Sequence, residues 1–332
     1  MPIILDVRTE FAHQIKTLVD ALKDIITETN IEFISPNQND NSEQDISNEQ
    51  PINNTDGKKC KKSKSKSKSK SKSKSKSKQN KSESTCDNVT SSQINNNTMI
   101  NIKSGIKILS LNPAKTILIS VMLNSDKFSK FVCERKRIII GVNLLNLNSV
   151  LKTVEKENQL SFKMDSDNMN YLYIIISDTN GNICHNLKFM LMDLDYDELH
   201  IDKIRFDSIV TLNFSKFQKT CKDLNALCEH VDITCVDDKL IFSCTGGFVN
   251  GDSTISGDHI SIKYNVGCNS DMVIQGYYEL KYLLLLGKCT SPSDDIDIFM
   301  KNDYPLIIRY MVATLGEVKL CITPISKNTI NS

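Results

Sequence analysis

The order of apolar patterns along the chain repeats itself, and this repeat limits the possible fold more than any other feature. The first copy predicts a helix over 10–29, strands at 30–35, 105–111 and 116–123, a helix over 143–156, and strands at 159–165 and 170–178. The second copy predicts a helix over 214–230, strands at 231–236 and 239–247, a helix over 276–288, and strands at 295–302, 306–312 and 317–324. The 332 residues therefore indicate an internal duplication of one α+β unit.

One segment interrupts the first copy and has no counterpart in the second. It contains the stretch "KKSKSKSKSKSKSKSKSKQ" (Lys61–Gln79), in which lysine alternates with serine. Where the first copy carries this segment, the second has only the pair Asp237-Asp238, which fits a tight hairpin turn. Residues 36–103 are rich in Asn, Gln, Ser, Asp and Lys, a composition that predicts disorder. We interpret them as a disordered insertion into a hairpin turn.

The near-neutral total charge hides a difference between this insertion and the rest of the chain. Residues 36–103 hold 14 lysines and 7 acidic residues, whereas the remainder holds 27 basic and 33 acidic residues. An acidic body does not attract nucleic acid over its whole surface, so any contact with DNA must be local.

Several function classes lack their sequence signals. The N-terminus does not read as a signal peptide, and the most apolar stretches, 171–177 and 282–287, are too short to span a membrane. The 11 cysteines form no C-x-x-C pair, and we interpret them as reduced core residues of an intracellular protein. No G-x-S-x-G, P-loop, H-E-x-x-H or G-x-G-x-x-G motif occurs. We therefore expect no catalytic residues, no metal and no cofactor.

Each predicted helix carries lysines on the face opposite its apolar side. They are Lys16 and Lys23, Lys152 and Lys156, Lys219 and Lys222, and Lys281 and Lys288. Taken singly, such lysines are solvated polar faces. Four helices from two copies together predict one basic surface that suits phosphates without base readout.

Five stretches resemble the eukaryotic-type sliding clamp, the proliferating cell nuclear antigen family. They are "LVDALKDII", "FVCERKRIIIGVNLLNLNSVLK", "LKFMLMDLDYDELHI", "FQKTCKDL" and "CITP", in family order and spacing. The resemblance covers the chain apart from about 36–103. It implies the α+β DNA-clamp fold, in which two like-folded domains have helices on the inner face of antiparallel sheets. Three identical subunits then form a ring.

The resemblance also implies how the chain is divided. Residues 1–35 with 104–191 would form the N-terminal domain, 192–206 the interdomain connector, 207–326 the C-terminal domain and 327–332 a tail. Edge strands near 183–189 and 252–256 would pair between subunits. The implied function is that of a polymerase processivity factor without enzymatic activity. Its implied partners are duplex DNA, bound nonspecifically, and further copies of itself, with DNA polymerase, clamp loader and other proteins that carry clamp-binding peptides, and no membrane.

The family further implies which residues take part. Those matching DNA-facing positions are Lys16, Lys23, Lys152, Lys219, Lys222 and Lys288, with Lys281 a weaker addition. Those matching an apolar pocket for partner peptides are Leu111, Leu118, Leu199, Ile201, Pro305, Ile322 and Pro324. Read without the family, Leu111, Leu118 and Ile322 are equally well ordinary core residues, whereas an apolar Ile201 between His200 and Asp202 favours docking.

The chain departs from the family at five places. Ser149 replaces a usual lysine, Asp202 a usual proline and Phe206 a usual tyrosine, and the loop beside the pocket reads "NPAKT" (112–116). Asp237 stands where family members carry the lysine for ubiquitin attachment, so that regulation is not assumed.

Two other functions remain open at this point. One is a subunit of a heteromeric checkpoint-type ring or a clamp-like viral transcription factor; the other is a nonspecific nucleic-acid tether acting through the Lys-Ser tract. The Asn-, Ile- and Lys-rich composition indicates an AT-rich genome, as in a large DNA virus or a protist. The expected location is the nucleus, or a cytoplasmic replication site if the protein is viral.

Overall fold

The order of helices and strands is the same in the two halves of the chain. The computed structural model describes residues 2–36, 103–180, 182–196, 199, 204–265, 267, 271–285 and 294–326. In the first half the elements are β1 (Ile3–Thr9), α1 (Ala12–Leu22), β2 (Glu28–Ile34), β3 (Gly105–Leu111), β4 (Ile117–Asn124), β5 (Lys130–Cys133), β6 (Arg137–Asn143), α2 (Leu144–Leu151), β7 (Gln159–Asp165), β8 (Tyr171–Ser177) and β9 (Cys184–Met190).

The second half repeats this series element by element. Its members are β10 (Ser208–Asn213), α3 (Phe214–Asn225), β11 (His230–Val236), β12 (Lys239–Thr245), β13 (Asn250–Ser256), β14 (Ile260–Tyr264), β15 (Ile274–Glu279), α4 (Leu280–Leu285), β16 (Asp295–Met300), β17 (Leu306–Val312) and β18 (Gly316–Ile322). The duplication predicted from the apolar patterns is therefore present in the fold.

The strands form three antiparallel sheets, and one of them joins the halves. Their orders are β5-β1-β7-β8-β9, then β14-β10-β16-β17-β18-β4-β3-β2-β6, and finally β13-β12-β11-β15. The joint is the ladder between β18 and β4, in which Gly316 lies opposite Leu123 and Ile322 opposite Ile117. The strands equivalent to β18 and β4 in the other half are β9 and β13, and both lie at sheet edges.

Amphipathic patterning explains why the helices lie over the sheets. Ile15, Leu18 and Leu22 of α1 are buried, as are Phe217 and Cys221 of α3. Helix α1 packs against α2, and α3 packs against α4. Burying such side chains contributes about 25 cal/mol per Å² of apolar area, so the apolar stripe of each helix is what attaches it to its sheets.

The second and third helices begin where the sequence predicts because an asparagine caps each of them. Asn143 Oδ1 accepts a hydrogen bond from the Asn146 amide at 3.1 Å, and Asn213 Oδ1 accepts one from the Ser215 amide at 3.2 Å. Each cap satisfies an amide that the first helical turn leaves unpaired.

Predicted helix ends were wrong. Helix α1 stops at Leu22 rather than at residue 29, α2 at Leu151 rather than 156, and α3 at Asn225 rather than 230. The fourth helix begins at Leu280, and the stretch from Gly276 that was predicted as helix is the end of β15. In that strand Gly276 lies opposite Ile233 of β11, so ladder pairing prevails over the apolar pattern.

The insertion joins two strands that pair with each other. Ile34 at the end of β2 lies opposite Gly105 at the start of β3, and in the second half Val236 lies opposite Lys239 in the same way. Residues 37–102, which include the Lys-Ser tract, lie outside the described residues, as does the predicted tail 327–332.

Candidate DNA-facing helices, partner pocket and ring edges

The predicted DNA-facing lysines differ in exposure. Lys219 and Lys222 on α3 are exposed, as are Lys152 and Lys156 after the last turn of α2. Lys281 is exposed and forms an ion pair with Glu279, whose hydrogen bond raises the pKa of the lysine. Lys288 lies outside the described residues.

Lys16 is half-buried and forms hydrogen bonds within the protein. Its Nζ donates to the backbone oxygens of Lys152 at 2.9 Å and Val154 at 2.7 Å. These carbonyls follow the end of α2, where backbone acceptors have no partner within the helix. The Lys16 side chain therefore caps the neighbouring helix, and its role in facing DNA stays a prediction.

Lys23 is held between two carboxylates. Its Nζ lies 2.9 Å from Asp24 Oδ1 and 3.0 Å from Asp20 Oδ1, and its side chain is 17% exposed. The hydrogen bond with Asp24 raises the pKa of Lys23 above its usual value. The two acids offset the positive charge that this lysine would present to a phosphate.

Sequence reasoning missed a basic groove beside α3. Lys216 Nζ contacts His259 Nδ1, and both residues line a groove of about 470 Å³ together with Lys219, Ser253 and one acidic residue, Asp223. The spacing of Lys216 and Lys219, one helical turn apart, could have indicated it.

The outer face of the nine-stranded sheet carries a continuous apolar row. Leu111 lies opposite Leu118, Leu118 opposite Cys321, and Cys321 opposite Ile307. The row continues through Phe299 to Ile209, and all six side chains are half-exposed. Two members of this row, Leu111 and Leu118, were predicted as pocket residues.

Ile322 was predicted to line the pocket, and this prediction is wrong. It is 1% exposed and belongs to the core, because alternate residues of β18 face opposite sides of the sheet. Cys321, its neighbour in sequence, has its side chain in the outer row instead.

The remaining predicted pocket residues lie at different places. Leu111 and Leu199 line one cavity of about 530 Å³, and Pro324 lines a second of about 600 Å³ with Tyr277 and Tyr304. Pro305 is half-exposed beside the start of β17, and Ile201 lies outside the described residues.

The loop that replaces the family's usual pocket-side sequence is closed by its own first residue. Asn112 Oδ1 accepts hydrogen bonds from the amides of Thr116 at 2.8 Å and Ile117 at 2.9 Å. Lys115 adopts a positive φ of 55° within the turn. The unusual sequence therefore forms an ordered turn beside Leu111.

The connector crosses β6 at a glycine. Met192 donates its amide to the Gly141 carbonyl at 2.9 Å. A Cβ at position 141 would lie 2.4 Å from the Met192 oxygen and 2.9 Å from Leu194 Cγ. Only glycine allows the connector backbone to approach so closely.

Both predicted ring edges are strands at sheet edges with the same exposure pattern. Residues of β9 and β13 are exposed except for the fourth, which is half-buried, and the sixth, which is buried: Phe189 in β9 and Ile255 in β13. Large apolar side chains are exposed next to these two edge strands, with Met190 at 69%, Ile183 at 59% and Phe248 at 82%.

The described part of the chain was also compared with the requirements of metal binding, membrane crossing and thiol chemistry. No cluster of three or more His, Cys, Asp or Glu side chains there is arranged to hold a metal ion, and none of the helices in the described ranges has the length and apolar character that crossing a bilayer requires. The seven cysteines within those ranges are free thiols, and burial raises the pKa of Cys221 to about 12. Such a thiol stays protonated at neutral pH.

Comparison with solved structures identifies the fold as that of proliferating cell nuclear antigen. The crystal structure of proliferating cellular nuclear antigen from Entamoeba histolytica superimposes with a TM-score of 0.69 at 18% identity, covering 98% of this chain and 100% of that one. The family description "Proliferating cell nuclear antigen, N-terminal domain" matches residues 87–199, and the corresponding C-terminal description matches residues 200–325. The chain therefore belongs to the proliferating cell nuclear antigen family and is a non-enzymatic DNA polymerase sliding clamp.

Two curated viral proteins are similar to it. The "Probable DNA polymerase sliding clamp 1" of Paramecium bursaria Chlorella virus 1 is 29% identical over 226 residues, which cover 67% of this chain and 85% of that protein. The "Probable DNA polymerase sliding clamp" of Acanthamoeba polyphaga mimivirus is 32% identical over 223 residues, which cover 67% of this chain. The matched part spans 47% of the mimivirus protein's length.

Proposed function

We propose that three copies of this chain close a ring around duplex DNA by pairing β9 of one copy with β13 of the next. The observation that carries this proposal is the internal joint. In a duplicated chain, the ladder between β18 and β4 has an equivalent between β9 and β13, and those two strands are left at sheet edges. Unpaired edges expose backbone donors and acceptors, and a closed ring removes them.

The joint inside the chain also supplies the register of the joint between chains. Leu144 and Leu280 each begin the second helix of their half, which aligns Phe162 with Ile298 and Ile140 with Gly276. Following the ladders outward from Phe162 and Ile298 aligns Leu187 of β9 with Leu320 of β18.

The same procedure aligns the partner strands. The ladders from Ile140 and Gly276 align Val121 of β4 with Ser253 of β13, and hence Ile119 with Gly251. Leu320 lies opposite Ile119 in the internal joint. The equivalent joint would therefore place Leu187 of one copy opposite Gly251 of the next.

This register sets each of the exposed apolar side chains Met190, Phe248 and Ile183 against another apolar side chain. Counting outward from Leu187 and Gly251 sets Met190 against Phe248, Phe189 against Val249 and Ile183 against Ile255. Aromatic and branched pairs across strands each contribute about 0.2–1 kcal/mol, and burying Phe248 adds to this. The proposed joint thus accounts for side chains that a monomer would leave in water.

The proposed ring is tested by measuring the mass in solution of the wild type and of variants that place charges on the two edge strands. Wild type should sediment at three times 37.4 kDa. Met190→Asp should yield smaller species, because it sets a carboxylate against Phe248 without a partner. Adding Phe248→Lys should recover part of the trimer by opposing unlike charges, whereas Met169→Asp, an exposed methionine in the turn between β7 and β8, should leave it intact. A wild-type monomer would exclude the ring, and absent recovery would exclude the register.

We further propose that the exposed lysines of the helices hold DNA without reading its sequence. Lys152, Lys219 and Lys222 provide flexible point charges, which suit phosphates and allow sliding once the ring encloses the duplex. Polymerase stimulation on primed circular DNA should therefore fall as salt concentration rises.

Partner proteins, in this proposal, dock on the outer apolar row and the connector. A peptide with one helical turn and an adjacent aromatic pair would cover Leu111, Leu118 and Cys321, with Leu199 and Ile201 contributing from the connector. Ile201→Glu should abolish binding of such a peptide while trimer mass is unchanged, because an apolar pocket leaves the carboxylate unpaired. Unchanged affinity in a calorimetric titration would contradict the pocket.

The Lys-Ser tract, in this proposal, is an accessory segment that makes a second contact with DNA. Since β2 and β3 pair on either side of the insertion, deleting 36–98 should leave the clamp fold intact. The deletion should lower affinity for linear DNA at low salt, where counterion release is strongest, and preserve processivity on loaded circles. Loss of all DNA binding on deletion would instead mean that the Lys-Ser tract is the main DNA-binding element.

The viral relatives favour a viral replication site as the location of the protein. A wild-type chain that trimerises only together with a second protein would favour the heteromeric ring.

A further inference from the structure

A buried carboxylate lies beneath the connector on the outer face of β2. Glu32 is 4% exposed, although alternate residues of this strand should face solvent. Its Oε1 accepts from Lys107 Nζ at 3.1 Å, and its Oε2 lies 3.5 Å from Arg137 Nη1. Burying a carboxylate without partners costs on the order of several kcal/mol, and this cost is offset only when cations or hydrogen-bond donors surround the group.

A third donor comes from the connector. The Tyr196 hydroxyl donates to Glu32 Oε1 at 3.3 Å and accepts a hydrogen bond from Arg137 Nη1 at 3.2 Å. The Arg137 guanidinium carbon lies 5.1 Å from the centroid of the same ring. Tyr196 is thus held by its hydroxyl and by its ring face.

Neighbouring contacts hold the backbone on each side of this tyrosine. Asn30 Nδ2 donates to the Asp195 oxygen at 3.0 Å, and Met192 pairs with Gly141 through its amide. The connector is therefore attached to β2 and β6 at three successive points. Glu32 takes part in one of these attachments through Tyr196, so its burial depends on the connector lying in this position.

These attachments matter for the cavity next to them. Tyr196 and Glu32 themselves line the cavity of about 530 Å³, and Leu194 and Leu199, on either side of Tyr196 in sequence, line it with Leu109 and Leu111. The position of Tyr196 therefore determines where one wall of that cavity lies relative to the sheet. A wall fixed before binding reduces the ordering cost that a peptide must offset.

We propose that Glu32, Arg137 and Tyr196 form a connector latch that sets the affinity of the clamp for partner peptides. The inference rests on the proposed partner pocket and adds to it three positioning residues. None of them lies in the outer apolar row. The latch acts through the connector, by holding Leu194 and Leu199 in place before a peptide arrives.

The sharpest test is Tyr196→Phe, which removes one oxygen and keeps the ring over Arg137. Amide exchange in 192–199 should become faster in the free clamp, with trimer mass unchanged. Affinity for a synthetic peptide with one helical turn and an aromatic pair should weaken about five-fold, within the range that one hydrogen bond allows. Glu32→Gln, which keeps the shape and loses the charge, should act in the same direction.

Matched controls separate the latch from a general loss of stability. Tyr173→Phe, on β8 and away from the connector, should change neither exchange in 192–199 nor peptide affinity. If Tyr196→Phe leaves both at wild-type values, the latch is wrong while the pocket stands. If wild type itself does not bind the peptide, the pocket is wrong and the effect of the latch on affinity is lost with it.

Discussion

The first helix of each half carries two lysines that the sequence predicts to face DNA, and the two helices use them differently. In α1, Lys16 caps the end of α2 and Lys23 is paired with Asp20 and Asp24. In α3, Lys219 and Lys222 are exposed. Charge counted along the sequence therefore overstates what the N-terminal half can offer a phosphate. In the proposed ring, the C-terminal half supplies the larger share of the attraction.

Removing the α3 lysines should have the largest effect. Lys219→Ala with Lys222→Ala should weaken DNA binding most at low salt, because each lost phosphate contact should flatten the salt dependence of binding by about one unit of slope. Stability should be almost unchanged, because both side chains are exposed. Binding to circular DNA across a salt series is the measurement.

The control for this pair is Lys136→Ala with Lys239→Ala, exposed lysines near the hairpin ends, which should leave the slope as in wild type. An equal loss in both double variants would mean that net charge rather than position governs binding.

Lys16→Ala should affect stability more than DNA binding. Hydrogen bonds from a charged donor contribute about 1.5–3 kcal/mol each, and two are lost with this side chain, so thermal unfolding should occur several degrees lower. Lys16→Met, which keeps the apolar stem, separates the lost capping from lost packing. If Lys16→Ala unfolds like wild type and binds DNA as weakly as the α3 double variant, the comparison between the helices fails.

Freeing Lys23 should have a smaller effect of opposite sign. Asp20→Asn with Asp24→Asn removes the offsetting charges, so DNA affinity should rise modestly, and adding Lys23→Ala should cancel the gain. Ion pairs near the surface contribute only about 0.2–1 kcal/mol, so stability should change little. Titration at low salt detects the difference, and a gain that survives Lys23→Ala would point to a general charge effect.

The pH dependence of the Lys23 pairs should be the smallest effect. Since the folded protein raises the pKa of this lysine, its contribution is fully present below the unfolded pKa and is lost only as pH rises through the folded one. Unfolding midpoints of wild type and Lys23→Ala should therefore stay parallel between about pH 6 and 9. A gap that changes within that interval would show that another group controls the pairing.

Much of the fold could be predicted because period and duplication agree. Strands such as Gly105–Leu111 and Leu306–Val312 have the predicted bounds, since alternation and turn residues act locally. The end of α1 could not be predicted in this way. Ile26 is buried beyond the last helical residue and continues the apolar pattern, so periodicity does not distinguish the turn from the helix.

The candidate site was less predictable because it depends on contacts between distant segments. Leu111 and Leu118, predicted as pocket residues, are half-exposed, so their role in a pocket stays a prediction. Ile322 lies in the core, because neighbouring residues of a strand face opposite sides of the sheet. Glu32 and Tyr196 are far apart in sequence, and nothing in their local pattern indicates that they meet. Likewise, the spacing of Lys16 gave no sign that it reaches the end of another helix.

Because Ile34 pairs with Gly105, the hairpin formed by β2 and β3 is a suitable place to insert another protein domain. Because the two strands meet whatever chain connects them, doubling the length of the connection adds only about 0.6 kcal/mol of loop-closure cost. A fluorescent domain or an affinity handle could replace residues 37–102 there without touching the helices, the connector or either pairing edge. In the proposed ring of three, every such domain would be displayed three times, and two differently labelled versions of the chain would report subunit exchange directly.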